Sequence, residues 1–474
     1  MPSTLVIDCG SSSMRGILFS PRGEILHTER REYFMDIDGD AATQDPSVYR
    51  EALYAICSAC ADELRRRALT LDALSFTSQR SSVLPVDREG RPLGRIVTWY
   101  DKRSLDICRE KTAAFGEEIL SLAGTAPSPV LSAPKMLLLK RTEPELYRAA
   151  YKLIGIHDYL LFLCTGEFVT DVTLASRSNL MDIRTLRWSD RLLGIYELDA
   201  DKLCRLLPPA SVAGRLTEDF AARTGLAAGT PVVSAGGDQQ CSALGQGLLE
   251  PGQIGITCGT GAYIAAVCDT PAIDRTGKLD LNAAVCPGLW VAESSIPAAG
   301  SVFDWFNRNF YDLSAQSYPQ EQINADIAAS PAGARGLVMD ADLIGGGSFR
   351  GVTLSHTRAD FARAMAEGIA ARLADCYRAV RTQIPASGVV RTTGGLTKSA
   401  EFNQIVSDMI DYPVENCIMQ ETTAMGAFLA ACLALGRFGS FAEACARLAP
   451  RGEGRIFRPC AERTALYAKR GESK

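Results

Sequence analysis

A chain of 474 residues, 47% apolar and 22% charged, exceeds the usual size of one domain, so two or more globular domains with sizeable cores are expected. Fifty Lys and Arg stand against 55 Asp and Glu, a net charge of −5 with no basic run, which excludes nucleic acid as the main partner. No apolar run is long enough to span a bilayer, and the start, Met1-Pro-Ser-Thr-Leu-Val-Ile-Asp8, lacks the pattern of a signal peptide. Fifteen scattered cysteines without such a signal read as buried free thiols in a reducing, cytoplasmic setting. Cys57 and Cys60 form a lone CxxC within a helical pattern; with three His and no second pair, metal binding is not indicated there.

The first element is an apolar run, Thr4 to Ile7, closed by Asp8. Cys9-Gly10-Ser11-Ser12-Ser13 follows, then Met14 to Phe19, then a turn at Pro21-Arg-Gly23 and Glu24-Ile-Leu26: strand, turn, strand, turn, strand. The backbone N–H groups of a small, hydroxyl-rich turn can face an anion. A carboxylate beside a phosphate-binding turn suits Mg²⁺, often through water. Arg15, one strand step away, can reach the same phosphates. An ordinary β-hairpin with a polar turn gives the same pattern.

Next, Asp45-Pro-Ser-Val-Tyr-Arg opens a helix with Pro46 in its first turn. Leu74 to Thr77 is a short strand leading to Ser78-Gln79-Arg80-Ser81-Ser82, and Ile96-Val-Thr-Trp99-Tyr100-Asp101 ends another. Gln79, Arg80, Trp99 and Asp101 combine hydrogen-bonding groups with a flat apolar face, as sugar and polyol sites do. A surface turn with a half-buried Trp is the alternative. Residues 134 to 230 read as mixed helix and loop, with His157 as a packed or helix-capping residue.

At the middle of the chain, Pro231-Val-Val-Ser234 is a buried strand that stops on Gly236-Gly237, with Asp238 next and a helix-like segment from Gln239 to Leu248. Glycines let backbone approach a ligand closely. Asp238 is then either a general base or a helix N-cap. Glu250-Pro-Gly252 interrupts the pattern and divides the chain into 1–248 and 249–474.

The second half repeats the opening: Gln253 to Thr257, the turn Cys258-Gly259-Thr260-Gly261, then Ala262 to Val267. Gly10 and Gly259 hold the same place in the two copies, which points to two similar α/β halves. Gly300 opens a helix carrying Asp304, and Gly345-Gly-Gly-Ser348 reads as a loop. A long helix runs from Arg358 to Thr382, with apolar residues at threes and fours. Val389 to Ser399 is strand, double glycine (Gly394-Gly395), helix start; Glu421-Thr-Thr-Ala-Met-Gly426 opens a helix of small residues.

Taken in order, Ile7 to Arg15, Ser78-Gln-Arg80, Trp99-Tyr-Asp101, Gly236 to Gln240, Gly259-Thr-Gly261, Gly394-Gly395 and Glu421 to Ala427 resemble the FGGY carbohydrate kinases, the group of glycerol kinases and xylulokinases. The resemblance covers nearly the whole chain. It implies two ribonuclease-H-like domains of the actin and hexokinase type facing a central cleft that holds ATP and Mg²⁺. Asp238 would be the general base, and Asp8 and Asp238 would serve the metal. Gly10, Ser11, Ser12, Ser13, Arg15, Gly259, Thr260 and Gly261 would lie at the phosphates. Gly300, Asp304, Gly394, Gly395 and Ser399 would lie by the nucleoside. Gln79, Arg80, Trp99, Asp101, Asp238, Gln239 and Tyr263 would line the pocket of a small carbohydrate or polyol. A homodimer is common in this family; neither nucleic acid nor membrane is an expected partner.

Departures from the family bear on the acceptor. Ser81 stands where glycerol kinases carry Glu, and Arg80-Ser81 where xylulokinases carry Met-His. Tyr263 replaces a Phe, Ser399 a frequent Asn and Asp304 a frequent Gln. Loss of the carboxylate fits a ketose or a sugar alcohol larger than glycerol. A glycerol kinase-like enzyme, an ATPase of the same fold and a non-catalytic sugar sensor remain the alternatives.

Overall fold

The structure, a computed structural model, describes residues 2–311, 320–417, 419, 421–448 and 454–471. The chain folds as two compact units: Met1–Leu249 with Cys268–Val291 and Glu421–Pro450, and Glu250–Val267 with Ala292–Gln420 and Arg451–Lys474.

The first unit is built on β1 (Pro2–Cys9), β2 (Ser13–Phe19), β3 (Ile25–Glu32), β4 (Thr70–Ser78), β5 (Ser211–Arg215) and β6 (Pro231–Gly237). They form one sheet in the order β5-β6-β4-β1-β2-β3. β1 is buried along nearly its whole length, as a strand covered on both faces must be. It pairs antiparallel with β2 and parallel with β4, and β4 is parallel to β6. Helix α1 (Pro46–Arg66) covers one face. Asp45 caps it by accepting from Ser47 N at 2.8 Å, and Tyr49, Leu53, Ile56, Cys60 and Leu64 form its buried stripe. A Cβ at Gly16 on β2 would lie 2.2 Å from Ile56, so glycine lets the helix settle on the sheet. The helix Thr422–Ala434 belongs to this unit and packs within it through small residues: a Cβ at Gly426 would sit 1.8 Å from Cys241 O, and Ser75 Oγ donates to Ala427 O at 2.8 Å.

Three further helices matter below: α2 (Ser132–Thr142), α3 (Ile156–Thr165) and α4 (Asp238–Gly245). α4 ends before the expected Leu248, because the chain turns at Gly247 with φ +75°. Residues 134–230 hold more strand than the sequence suggested. Lys152–Ile154, Val169–Asp171, Met181–Asp182, Arg187–Trp188 and Arg205–Leu207 are strands of two or three residues, too short to show alternation, and β5 is an antiparallel addition to β6.

The second unit repeats the plan. Six strands of its main sheet are β7 (Ile254–Cys258), β8 (Ala262–Cys268), β9 (Trp290–Ile296), β10 (Val390–Gly394), β11 (Val414–Asn416) and β12 (Arg455–Phe457). They follow the order β9-β8-β7-β10-β11-β12. β7 pairs antiparallel with β8 and parallel with β10; β10 is parallel to β11, and β12 antiparallel to β11. The hairpin, its parallel neighbour and the closing antiparallel strand thus recur in both units, the twofold α/β architecture anticipated from the recurring turns. Helices α5 (Gly300–Phe310), α6 (Arg358–Gln383) and α7 (Ala400–Ile410) belong to this unit. In α6, Met365, Ile369, Leu373 and Val380 of the expected stripe are buried, while Phe361 and Cys376 are half-buried.

All fifteen cysteines are free thiols, Cys57 and Cys60 among the buried ones on α1. Among the described residues, no helix is long and apolar enough to cross a membrane.

Candidate active site

In the first unit, three adjacent parallel strands end at one sheet edge. β1 runs out at Asp8-Cys9-Gly10, β4 at Ser78 before Gln79 and Arg80, and β6 at Gly237 before Asp238. Asp8 pairs with Thr77 and Thr77 with Gly236, so the three termini share one rung. In open α/β sheets, ligands bind outside this carboxyl edge.

Asp238 is the first residue of α4, and Gly237 is its N-cap, so Asp238 does not cap the helix. Its Oδ1 accepts from Gln239 N at 2.7 Å and lies 3.4 Å from Arg80 Nε. The Asp238 side chain keeps 27% exposure, whereas Arg80 keeps 9%. Arg80 also donates through Nη1 to Gln240 Oε1 at 3.1 Å. A Cβ at Gly237 would fall 2.7 Å from Arg80 Cδ, so only glycine leaves Arg80 room to pass.

Behind Asp238 lies a buried polar chain whose connections sequence reading did not reveal; His157, expected as a packed or helix-capping residue, is a buried member of it. Thr173 Oγ1 accepts from Gly237 N at 2.9 Å and donates to Asp171 Oδ1 at 2.5 Å. Ser234 Oγ donates to Asp171 Oδ2 at 2.5 Å, and His157 Nε2 lies 2.9 Å from Ser234 Oγ. With its own proton committed to Asp171, Ser234 Oγ is the acceptor, which makes His157 the Nε2–H tautomer. Burial pushes the His157 pKa down to about 4, against the pull of Asp171, so the ring is neutral at pH 7.

The first turn is fastened by the residues expected to line the acceptor pocket. Gly10 N donates to Ser13 O at 2.9 Å; Tyr33 Oη and Gln79 Nε2 donate to Gly10 O at 2.7 and 3.1 Å. Ser11 Oγ donates to Gln79 Oε1 at 3.2 Å and accepts from Trp99 Nε1 at 2.8 Å, while Ser12 is exposed. Trp99 is half-buried. Asp101 is buried instead, its carboxylate taken up by Ala42 N at 2.9 Å, Arg103 N at 3.1 Å and Arg103 Nε at 2.9 Å. Arg15 stands opposite Asp8 in the β1–β2 register; it donates to Asp8 Oδ2 at 2.5 Å and to Glu421 Oε2 at 2.6 Å. Glu421, 406 residues further along, escaped the sequence-derived set.

In the second unit, the turn Gly259-Thr260-Gly261 meets the start of α5. Gly300 N donates to Gly259 O at 3.0 Å, and Ala299 N and Ser301 N to Thr260 O at 2.9 and 3.1 Å. A Cβ at Gly300 would lie 2.4 Å from Gly259 O, and one at Gly261 2.7 Å from Ile296 O. Gly394, with φ +103°, ends β10 against β7; a Cβ there would lie 2.2 Å from Cys258 O. A Cβ at Gly395 would meet open space. Gly261, Gly300 and Gly394 let backbone pack on backbone at the carboxyl ends of β7 and β10. Asp304 is exposed on α5, and Tyr263 is half-buried on β8. Ser399 is buried, and its Oγ caps α7 by accepting from Phe402 N at 3.3 Å.

The models of the FGGY family of carbohydrate kinases match this chain, the N-terminal domain over residues 3–245 and the C-terminal domain over 254–435. The chain belongs to the FGGY family of carbohydrate kinases, phosphotransferases that use ATP as donor and an alcohol group as acceptor. It is 28% identical to a gluconokinase of Bacillus licheniformis, covering 92% of this chain and 88% of the relative. It is 27% identical to a xylulose kinase of Bacillus subtilis, covering 98% and 95%. In fold it matches a ligand-bound xylulose kinase from Lactobacillus acidophilus with a TM-score of 0.91 at 23% identity, covering 99% and 96%.

Proposed function

We propose that this chain transfers the γ-phosphoryl group of ATP to a hydroxyl of a small ketose, xylulose- or ribulose-like, or of a sugar alcohol larger than glycerol. The observation that carries the reading is Asp238: a part-exposed carboxylate at the carboxyl edge of three parallel strands, beside Arg80. The resemblance to xylulose kinase and gluconokinase relatives supports an acceptor with a longer chain than glycerol. So does Ser81, which offers no charge where glycerol kinases have one.

In this reading Asp238 takes the proton of the acceptor hydroxyl, and Arg80 orients that carboxylate and lines the acceptor side together with Gln79, Trp99, Asp101, Gln239 and Tyr263. The turn Gly10 to Ser13, closed by Gly10 N donating to Ser13 O, and the turn Gly259 to Gly261 face their remaining N–H groups to phosphates, with Arg15, paired to Asp8 and Glu421, beside the first. Gly300, Asp304, Gly394, Gly395 and Ser399 serve the nucleoside. Residues 1–248 carry the acceptor side, to which Tyr263 is added, and 249–474 otherwise carry the nucleoside side. Phosphoryl transfer runs through a loose transition state, so positioning and charge neutralisation do most of the work. Among the described residues, no three His, Cys, Asp or Glu gather as a metal cage. Asp8 and Asp238 would serve Mg²⁺, which takes one or two carboxylates and otherwise water and phosphate oxygens. When bound, the ion offsets phosphate charge. Free thiols throughout suit the cytoplasm.

A coupled ADP-release screen over ketoses, polyols including glycerol, and sugar acids tests the proposal. Turnover with a ketose or a larger polyol is the expected result. Preference for glycerol or a sugar acid would overturn the acceptor assignment. ATP hydrolysis indifferent to every sugar, or sugar binding without turnover, would overturn the kinase reading itself.

A further inference from the structure

Lys135 on α2 is 1% exposed, and the mechanism above gives it no task. Its Nζ donates to Val130 O at 2.5 Å, Leu131 O at 2.9 Å and Ser81 O at 3.2 Å. Those three bonds use every donor of an ammonium, and all three acceptors are backbone carbonyls. Burying a charge on neutral partners is costly, so the arrangement calls for a reason. Burial pushes its pKa down to about 7; Asp101 and Cys108 pull it upward and Arg177 pushes it further down.

What the ammonium holds is informative. Two of the carbonyls close the loop that precedes α2. The third belongs to Ser81, a non-glycine residue at φ +70°. The left-handed region is unfavourable for a residue with a Cβ, so something must keep it there. Ser81 is gripped at both ends: its carbonyl by Lys135 and its hydroxyl by Arg177 O at 3.1 Å. The preceding residue is Arg80, whose guanidinium lies against Asp238. The twist at Ser81 fixes the direction of the chain as it leaves Arg80.

We infer that Lys135 is a positioning residue of the acceptor site, its ammonium holding Ser81 in the left-handed conformation that keeps Arg80 beside Asp238. The inference rests on the acceptor-side reading of Arg80 and Asp238.

The test compares Lys135→Met, Lys135→Met with Ser81→Gly, and Arg80→Met, using the acceptor found in the ADP-release screen, with thermal unfolding of each variant. K135M is expected to raise the acceptor KM about tenfold or more and leave the KM for ATP within about twofold, since a small misplacement at the site is amplified in binding. Glycine adopts positive φ without a steric penalty, so adding S81G should recover most of that loss. R80M should raise the acceptor KM by itself. If R80M raises it and K135M does not, the Lys135 inference falls alone. If R80M leaves it unchanged, the acceptor-side reading falls and takes the inference with it. Equal losses toward acceptor and ATP in K135M, not repaired by S81G, would make Lys135 merely structural. Lys135→Gln carries the same comparison if K135M does not fold; failure of both to fold would likewise overturn the positioning role.

Discussion

Thr173 Oγ1 takes the amide proton of Gly237 at 2.9 Å, one peptide bond before Asp238. The same hydroxyl gives its own proton to Asp171, which is buried and also serves Ser234. The direction of these bonds is therefore fixed, and the end of β6 is held from behind. Thr173→Val keeps the shape and removes both bonds. It should cost about 1–3 kcal/mol of stability, because a buried N–H and a buried carboxylate each lose a partner. Turnover should fall by about tenfold to 10²-fold through misplacement of Asp238. Thr173→Ser keeps the hydroxyl and should stay near wild type. Kinetics and urea unfolding of the pair would check this; equal behaviour of the two variants would remove the hydroxyl from the account.

Asp238→Asn separates base from scaffold. Gly237, not Asp238, is the helix N-cap, and Asn still offers an oxygen to Gln239 N. Stability should change by less than about 1 kcal/mol, the typical value of a lost cap. Turnover should drop by about 10² or more, as for loss of a general base. Nucleotide binding should persist in a titration with ADP. A variant with near-normal turnover would remove Asp238 from the chemistry.

The recurring strand–turn–strand units, the helix Arg358–Gln383 and the glycines at strand ends were legible because each is written in a few consecutive residues. The chain behind Asp238 was not. Its bonds span 63, 64 and 77 residues, and Thr173, Ser234 and His157 are common core residues whose meaning appears only when β6 lies beside the strand Val169–Asp171 and α3. Glu421 read as a helix start; its reach to Arg15 depends on the chain returning to the first unit after 420 residues. Asp101 was legible as a polar residue in a cluster, but not as a buried one, because its partner Ala42 lies on the strand Ala41–Gln44, 59 residues away.

Gly300→Ala probes the packing of α5 on the turn Gly259 to Gly261. The added carbon would lie 2.4 Å from Gly259 O, a backbone atom that cannot swing aside. Either α5 or the turn Gly259 to Gly261 must shift, at about 1–3 kcal/mol for such overpacking. The KM for ATP should rise by about tenfold, in line with that energy, while the acceptor KM stays unchanged. Initial rates over a grid of both substrates give the two constants. An effect confined to the acceptor would contradict a nucleotide role for this turn.

His157 and Asp158, neighbours on α3, set opposite pH dependences of stability. Burial lowers the His157 pKa from 6.5 to about 4. Below pH 6.5 the unfolded chain takes up a proton that the folded one refuses until about 4, so acidification through this range destabilises the fold. Burial raises the Asp158 pKa from 3.8 to about 6. From pH 6 down to 3.8 the folded chain takes up the proton first, so acidification stabilises it. Each contribution is on the order of 3 kcal/mol when complete, and the two oppose each other in the wild type. Asp158→Asn leaves the histidine uncompensated and should lose about 2–3 kcal/mol more than the wild type between pH 7 and 4.5. His157→Gln keeps a donor for Ser234 and should move the other way by about 2 kcal/mol. Urea unfolding at the two pH values reads both signs at once. Parallel curves for the three proteins would mean that neither group titrates differently in the folded chain.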